Sequence, residues 1–369
     1  MNKFELITRN VEEVLTPEDL KSLLKSETPL RHYIGLEISG FVHLGTGLMS
    51  ALKIRDFQEA GIKCNIFLAD WHSWINEKLN GDLKTIKEIA VGYFREALKI
   101  CLDAVGADSS KVDFILGSDL YHHNDLYWLT LIEISKNVTL SRILRSIDIM
   151  GRKAGEAIDF AKLIYPPMQV ADIFLLQTNL VHAGLDQRKA HVIARDVAEN
   201  LTFSPLIDRN GKKIKPVVIH HHLLLGLGKP PKDFHKMKKE EMEEVLIGLK
   251  MSKSKPESAI FIHDSSEEIE KKIKKAYCPP NDTEYNPVLD WTIWLLLPIF
   301  KEIKVKTTQG EKIYTQKEDL IKDYKDGLIH PLDLKEAVNV YLNKLIAPIR
   351  ENFSSGLAKS YLERLKSII

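Results

Sequence analysis

The order of apolar and polar positions divides the chain into short apolar segments that end at glycine turns and longer stretches of helical period. Thr16 before Pro17 opens a helix, because the threonine oxygen can cap free amides and proline has no amide to leave unpaired. Residues 1–30 read as a helical lead. Beyond Arg31 the period changes. Residues 32–38 read as a strand, 39–46 as a loop holding Gly40 and Gly45, and 47–60 as a helix with Leu48, Leu52 and Phe57 on one face and Gly61 as its stop. Residues 63–69 (KCNIFLA) are largely apolar, the mark of a strand covered on both faces. Strand, glycine loop, helix and strand in succession make a βαβ unit. The pattern predicts an α/β fold built on a Rossmann-like, doubly wound parallel sheet.

Further along, 77–105 and 119–160 have helical period, with 114–118 as a strand and its end between them. A helix over 165–176 is started by Pro166-Pro167, a strand comes next at 178–183, and a helix at 187–200 succeeds the turn Gly184-Leu185-Asp186. Residues 217–221 and 259–263 are further strand candidates, and Ser265 with Glu268 forms a capping box for a helix over 265–277. The run Cys278-Pro279-Pro280-Asn281-Asp282 breaks the chain, and the remainder is helical and lysine-rich apart from a hairpin around Gln309-Gly310. The expected division is an α/β body over 1–264, with a helical insertion at about 119–164, and a mainly helical unit over 265–369.

Length (369 residues) fits two or three domains, and 44% apolar with 28% charged residues excludes disorder. The net charge of +1 means that any nucleic-acid surface must be a local basic patch. Three cysteines stand far apart, without the spacing of a disulfide frame or a zinc site. The opening MNKFELITRN lacks the apolar run of a signal peptide. The longest apolar stretch, 291–300, is half of the ~20 residues that a membrane span needs. These features predict a cytoplasmic protein.

Two loops carry chemistry. Residues 33–47 (YIGLEISGFVHLGTG) run from the first strand into a helix N-terminus, where amides are free for phosphate. Gly45 and Gly47 allow close approach of a base or phosphate, and His43 could donate to a phosphate oxygen as it gains charge. Residues 250–256 (KMSKSKP) interleave lysine with serine, a composition that suits a polyphosphate clamp or simply a solvated loop. A third segment places Tyr165, Gln169 and Asp172 at i, i+4 and i+7. That stripe is a pocket wall or the wet face of an amphipathic helix. His220-His221-His222 is a poor metal site, because neighbouring strand residues point to opposite faces and no carboxylate or thiol stands at ligand spacing.

Taken together, His43-Leu44-Gly45 and Lys250-Met251-Ser252-Lys253-Ser254 resemble the paired signatures of class I aminoacyl-tRNA synthetases, usually His-Ile-Gly-His and Lys-Met-Ser-Lys-Ser. The second matches letter for letter; in the first, Thr46 replaces the second histidine. Tyr33, Tyr165, Gln169, Asp172 and Gln187 resemble the amino-acid pocket of archaeal and eukaryotic tyrosyl-tRNA synthetases. The resemblance implies that Tyr33 and Asp172 bind a substrate phenol. It implies that Tyr165, Gln169 and Gln187 surround its α-amino group, and that Gly35 and His72 line the same pocket; Asp70 stays unassigned. It further implies His43, Thr46, Lys250 and Lys253 as catalytic groups on the phosphates of Mg-ATP, with Gly45, Asp186, Met251, Ser252 and Ser254 around the nucleotide. His330-Pro331-Leu332-Asp333 resembles the family's anticodon-reading motif, so His330, Pro331 and Asp333 are expected on tRNA(Tyr). Arg142, Arg145, Arg152 and Lys153 fit an acceptor-stem face or a solvated one. The resemblance implies a homodimer through the insertion, and since the sequence offers no carboxylate cluster as a dedicated cage, Mg2+ is expected to arrive on ATP. The competing readings are a tryptophan–tRNA ligase of the same subclass, a non-catalytic RNA-binding paralogue and a small nucleotidyltransferase of the same sheet type.

Overall fold

The computed structural model describes residues 1–151, 159–253 and 255–369. Its centre is a six-stranded sheet of β1 (Glu13–Leu15), β2 (Arg31–Glu37), β3 (Lys63–Ala69), β4 (Val112–Leu116), β5 (Leu180–Gly184) and β6 (Val217–His221). The strand order is β1-β6-β5-β2-β3-β4, with every pair parallel except β1 against β6. The sheet is thus doubly wound, with one antiparallel edge. β1 is only three residues long, too short to show a period, and its partner lies far away, Glu13 standing opposite His220. β3 is buried along all but its first residue, as a strand between two helical layers must be. A small hairpin, β7 (Ile303–Thr307) with β8 (Gly310–Tyr314), stands apart.

Helix starts obey the local chemistry. Thr16 accepts from the Asp19 amide ahead of Pro17–Lys25, and Ser265 with Glu268 completes the capping box of Ser266–Lys275. The stretch expected as a helix from 77 starts only at Leu83, because Asp82 caps the Thr85 amide. The period over 119–160 resolves into Gly117–Tyr121, Asp125–Lys136 and Leu140–Ser146, broken where His123 takes a positive φ and Asn124 starts a new helix. The helix expected from 165 begins at Ala161, so Pro166 and Pro167 sit inside it. Asp159 binds the Lys162 amide and starts that helix upstream of the prolines. No strand forms over 259–263; only Phe261 bridges to His43, with Leu44 donating to Ile260 O at 3.1 Å. Trp291 is fully buried, whereas Trp74 is exposed.

One apolar core runs from Leu6 to Leu365 and takes in sheet residues such as Ile34 and Ile66 together with Ile273, Leu342 and Ile346 of the later helices. Among the described residues no helix is long and apolar enough to cross a membrane. A partly buried ionic clamp adds to this packing. The His222 ring stacks on Trp294 at 4.4 Å, its Nε2 lies 2.6 Å from Asp290, and its Nδ1 binds Glu12. Burial alone would depress this imidazole, but the Asp290 and Glu12 carboxylates outweigh it and push its pKa up to about 9. The clamp joins the β1 edge to the helix Pro287–Trp291.

A group whose folded pKa is raised contributes fully below its unfolded value, and that contribution is lost as pH rises through the folded one. His222→Phe keeps the stacked ring and removes the charge. At pH 7 it should cost on the order of 2 kcal/mol in urea unfolding, and the gap between variant and parent should close as pH passes 9. A gap constant from pH 7 to 10 would show that the ring is neutral in the fold.

Candidate active site

Strand order reverses between β2 and β5, so the connections beyond them diverge and leave a crevice outside their carboxyl ends. The crevice is a cavity of about 1460 Å³, lined at one end by the His43 loop and the lysine loop and at the other by Tyr33, His72 and Tyr165. Two segments far apart in sequence close it. Ile262 donates to Val42 O at 3.1 Å and Leu44 to Ile260 O, fixing the chain beyond the lysine loop against the His43 loop. Gly47 is required where that loop turns into helix, since a Cβ there would stand 2.8 Å from both Cys101 Sγ and Val42 Cγ1.

His43 is buried, and its tautomer is set by the backbone. The amides of Gly45 and Thr46 donate to Nδ1 at 3.1 and 3.3 Å, so the ring proton is assigned to Nε2, which lies 3.2 Å from Thr46 Oγ1. Burial, with the Lys253 and Lys250 ammoniums nearby, holds the ring neutral, its pKa well below the usual imidazole range. The Nε2–H therefore donates to Thr46, whose own hydroxyl proton is free to turn into the cavity.

On the lysine loop, Lys250 forms an ion pair with Asp186, just past β5. Burial would raise the Asp186 carboxyl, but this ammonium more than offsets it and holds it below the usual range. Lys253 donates to Ser39 Oγ at 2.8 Å and lies over the Phe94 ring. Burial pushes its pKa down to about 7, against the pull of Glu37. Met251 is buried, with its amide on Leu224 O at 2.7 Å, and Ser252 lines the cavity. Ser254, like Arg152 and Lys153, lies outside the described residues.

At the other end, Tyr33, Gly35 and Glu37 share one face of β2. Gly35 leaves room for a phenol: a Cβ there would stand 2.5 Å from the Tyr33 hydroxyl. The stripe on helix Ala161–Leu175 is no wet face, since Tyr165 and Asp172 are buried. Tyr165 donates to Glu37 Oε1 at 2.9 Å, and Gln169 donates to Gln187 Oε1 at 3.2 Å, while Gln187 Nε2 donates to Ile149 O and Asp186. Asp172 lies behind the cavity wall and accepts from Tyr121 at 3.1 Å. Burial pushes its carboxyl well above the usual range. Its Oδ2, the His72 Nε2 at 3.7 Å and Gln169 Oε1 are all buried without a hydrogen-bond partner. Unpaired buried polar atoms are costly, and three around one end of a cavity mark where a polar ligand completes the set.

Some expected residues lie elsewhere. Asp70 accepts from the Trp71 and Ser118 amides, both at 2.9 Å, and so ties two helix starts together. His330 caps the helix Pro331–Asn352, with Asp333 in its first turn 3.9 Å from Lys306, and none of the three motif residues lines the cavity. Arg142 pairs with Asp196 and Arg145 is exposed. Glu37, Tyr121 and His221 were missed in the sequence. Glu37 had a signal, its place at i+2 from Gly35 and i+4 from Tyr33; Tyr121 had none. The three adjacent histidines diverge: His220 meets His191 and Glu13, His221 meets His182, and His222 meets Glu12 and Asp290.

Comparison with known proteins places this geometry. The family model for class I tRNA synthetases (W and Y) matches residues 25–347. The tyrosine–tRNA ligase of Thermococcus sibiricus is 54% identical, over 99% of this chain and 98% of its own length. That of Pyrococcus furiosus is 54% identical over 98% and 96%. The crystal structure of tyrosyl-tRNA synthetase complexed with L-tyrosine from Pyrococcus horikoshii is similar at a TM-score of 0.93 and 52% identity, covering 99% of this chain and 98% of that one.

Proposed function

The chain belongs to the class I tRNA synthetases of the tryptophan and tyrosine group, its activity is tyrosine–tRNA ligation, and from that premise we propose how its residues perform the reaction. The observation that carries the proposal is the unpaired Oδ2 of Asp172, buried behind the wall of a cavity that Tyr33, His72 and Gln169 line. A phenol hydroxyl both donates and accepts, so it can serve Asp172 and Tyr33 together. Phenylalanine would leave both unpaired, and an indole N–H can only donate. Tyrosine-specific ligases are themselves the standard instance of this rule. Gly35 and His72 shape the same end. Tyr165, Gln169 and Gln187 surround the α-ammonium, with the Glu37 carboxylate as its counter-charge.

The tyrosine carboxylate attacks the α-phosphorus of Mg-ATP and pyrophosphate leaves; a terminal ribose hydroxyl of tRNA(Tyr) then attacks the activated carbonyl, the acyl–phosphate bond breaks and AMP leaves. Mg2+ arrives on ATP as part of the substrate. The protein positions the reactants and stabilises phosphate charge. Thr46, oriented by His43, and the ammoniums of Lys250 and Lys253 act on the phosphates. Asp186 accepts from the ribose, with Gly45, Met251, Ser252 and Ser254 against the nucleotide. The unit over 265–369 presents His330, Pro331 and Asp333 to the anticodon, and the body over 1–264 holds the catalytic site. Leu126, Trp128, Leu129, Ile132, Leu140 and Leu144, exposed on two helices of the insertion, form the face for a second copy in a homodimer. Three separated cysteines without a disulfide fit a cytoplasmic setting.

ATP–pyrophosphate exchange without tRNA should proceed with tyrosine and not with phenylalanine or tryptophan. Asp172→Asn should lower kcat/KM for tyrosine by ten- to a hundredfold, about 1.5–3 kcal/mol. Exchange with tryptophan would overturn the pocket assignment, and no exchange with any of the three would favour the RNA-binding paralogue.

Lys253, with a pKa of about 7, is mostly neutral at pH 8 in the free protein, and bound phosphates would raise it. ATP binding at pH 8 should therefore take up a proton, and ATP affinity should fall as pH rises above 7. Calorimetry in buffers of different ionisation enthalpy measures the uptake. Lys253→Met should abolish it; uptake that survives that change belongs to another group. Ile132→Glu with Leu129→Glu should shift sedimentation from dimer to monomer, and an unchanged dimer would place the interface elsewhere.

A further inference from the structure

The His32, His182 and His221 rings form a buried chain that neither tyrosine activation nor transfer to tRNA uses. His32 Nε2 lies 3.2 Å from His182 Nδ1, and His182 Nε2 lies 2.7 Å from His221 Nδ1. Each ring is neutral, since burial depresses all three: His32 to about 3, His221 to about 4 and His182 well below the usual range. A chain of neutral imidazoles has two proton arrangements, with every N–H pointing one way or the other. The surroundings select one. His32 Nδ1 is buried with no partner, so the reverse arrangement would strand an N–H there, which is costlier than a bare lone pair. The Lys53 ammonium acts on the His32 end, and at the His221 end the Asp186 carboxylate acts more strongly than the Lys250 ammonium paired with it. That field aligns the N–H dipoles from cation toward anion. The last proton then sits on His221 Nε2.

His221 lines the cavity, and its Nε2 has no hydrogen-bond partner among the described residues. It faces the same spot as Asp186. A Cβ on Gly184 would stand 2.5 Å from Leu223 Cδ2, 2.6 Å from Asp186 Oδ1 and 3.5 Å from His221 Nε2, so only a glycine lets this acceptor and this ring nitrogen approach the same stretch of backbone, with Leu223 beside them. We propose that a ribose hydroxyl of ATP sits between Asp186 and His221, donating to the carboxylate and accepting from the ring, and that His182 and His32 are positioning residues that keep the ring proton on Nε2. The proposal rests on the reading that Asp186 holds the ribose and adds a donor to it. A paired acceptor and donor demand a hydroxyl, and both lose their partner when it is missing.

The test is pyrophosphate exchange with ATP, 2′-deoxy-ATP and 3′-deoxy-ATP. The parent should show a KM for ATP roughly tenfold below that for one of the deoxy analogues. His221→Asn is the informative variant, because its amide oxygen can take the place of Nδ1 and keep His182 partnered while nothing reaches the ribose. It should raise the KM for ATP to that of the deoxy analogue and leave the KM for tyrosine unmoved. His221→Gln, whose amide reaches the position of Nε2, should restore the preference. In 15N-histidine spectra of the parent, His221 should be protonated at Nε2. Preference that persists in His221→Asn, or a proton on Nδ1, would sink the role of His221 and leave Asp186 on the ribose. A parent that does not distinguish the three nucleotides would remove the ribose reading itself.

Discussion

Because β2 pairs with β3 on one side and with β5 on the other, the segments that leave its carboxyl end and that of β5 diverge, and the groups of the active site stand around the gap between them. The pairing puts Tyr33, Gly35 and Glu37 on one face of β2 and Gly184 with Asp186 at the end of β5, on opposite sides of one crevice. It also leaves the sheet with both faces under helices, so that only the strand ends are free for ligands. The hydrogen bonds of residues 260–262 to 42–44 depend on it in turn, since they bring the lysine loop across the gap to the His43 loop.

Around the crevice the buried polar groups fall into two kinds. Some are complete, as Lys53 is between Leu6 O, Arg9 O and Asp56. Others are half complete. Asp172 has one oxygen on Tyr121 and one bare, Gln169 has its amide on Gln187 and its oxygen bare, and His72 faces Asp172 too far off to bond. The complete groups hold the fold together. The incomplete ones carry a desolvation cost that only a ligand of matching polarity removes, and their selectivity comes from that cost.

Much of this was legible in the sequence wherever the signal was local. The strands at 31–37, 63–69 and 217–221, the hairpin and the caps at Thr16 and Ser265 come from period and capping chemistry. Illegible parts depend on contacts distant in sequence. The apolar run at 259–263 looks like a strand, yet it is buried as a bridge because its partner is the His43 loop, not a sheet edge. The stripe of Tyr165, Gln169 and Asp172 reads equally as wet face or pocket until Tyr121, from a helix after β4, is seen to lie on Asp172. Glu37 could have been found by extending the strand alternation by one step. The three adjacent histidines read as diverging, because strand neighbours point to opposite faces, but which partner each one meets depends on residues distant in sequence.

Thr46, where class I enzymes usually carry a second histidine, is explained by the same electrostatics. Lys250 and Lys253 stand at the His43 end of the cavity, and their presence adds to burial in keeping His43 neutral. A further imidazole beside His43 would also be neutral there, and would offer one proton on a ring that must itself be oriented. The hydroxyl needs no tautomer to be set. Two backbone amides fix the His43 proton on Nε2, that proton is given to Thr46 Oγ1, and the threonine proton is left to turn toward an oxygen as its charge grows. The backbone thus orients a neutral donor through one side chain, and on the proposed mechanism threonine would keep donation to phosphate while the lysines supply the charge.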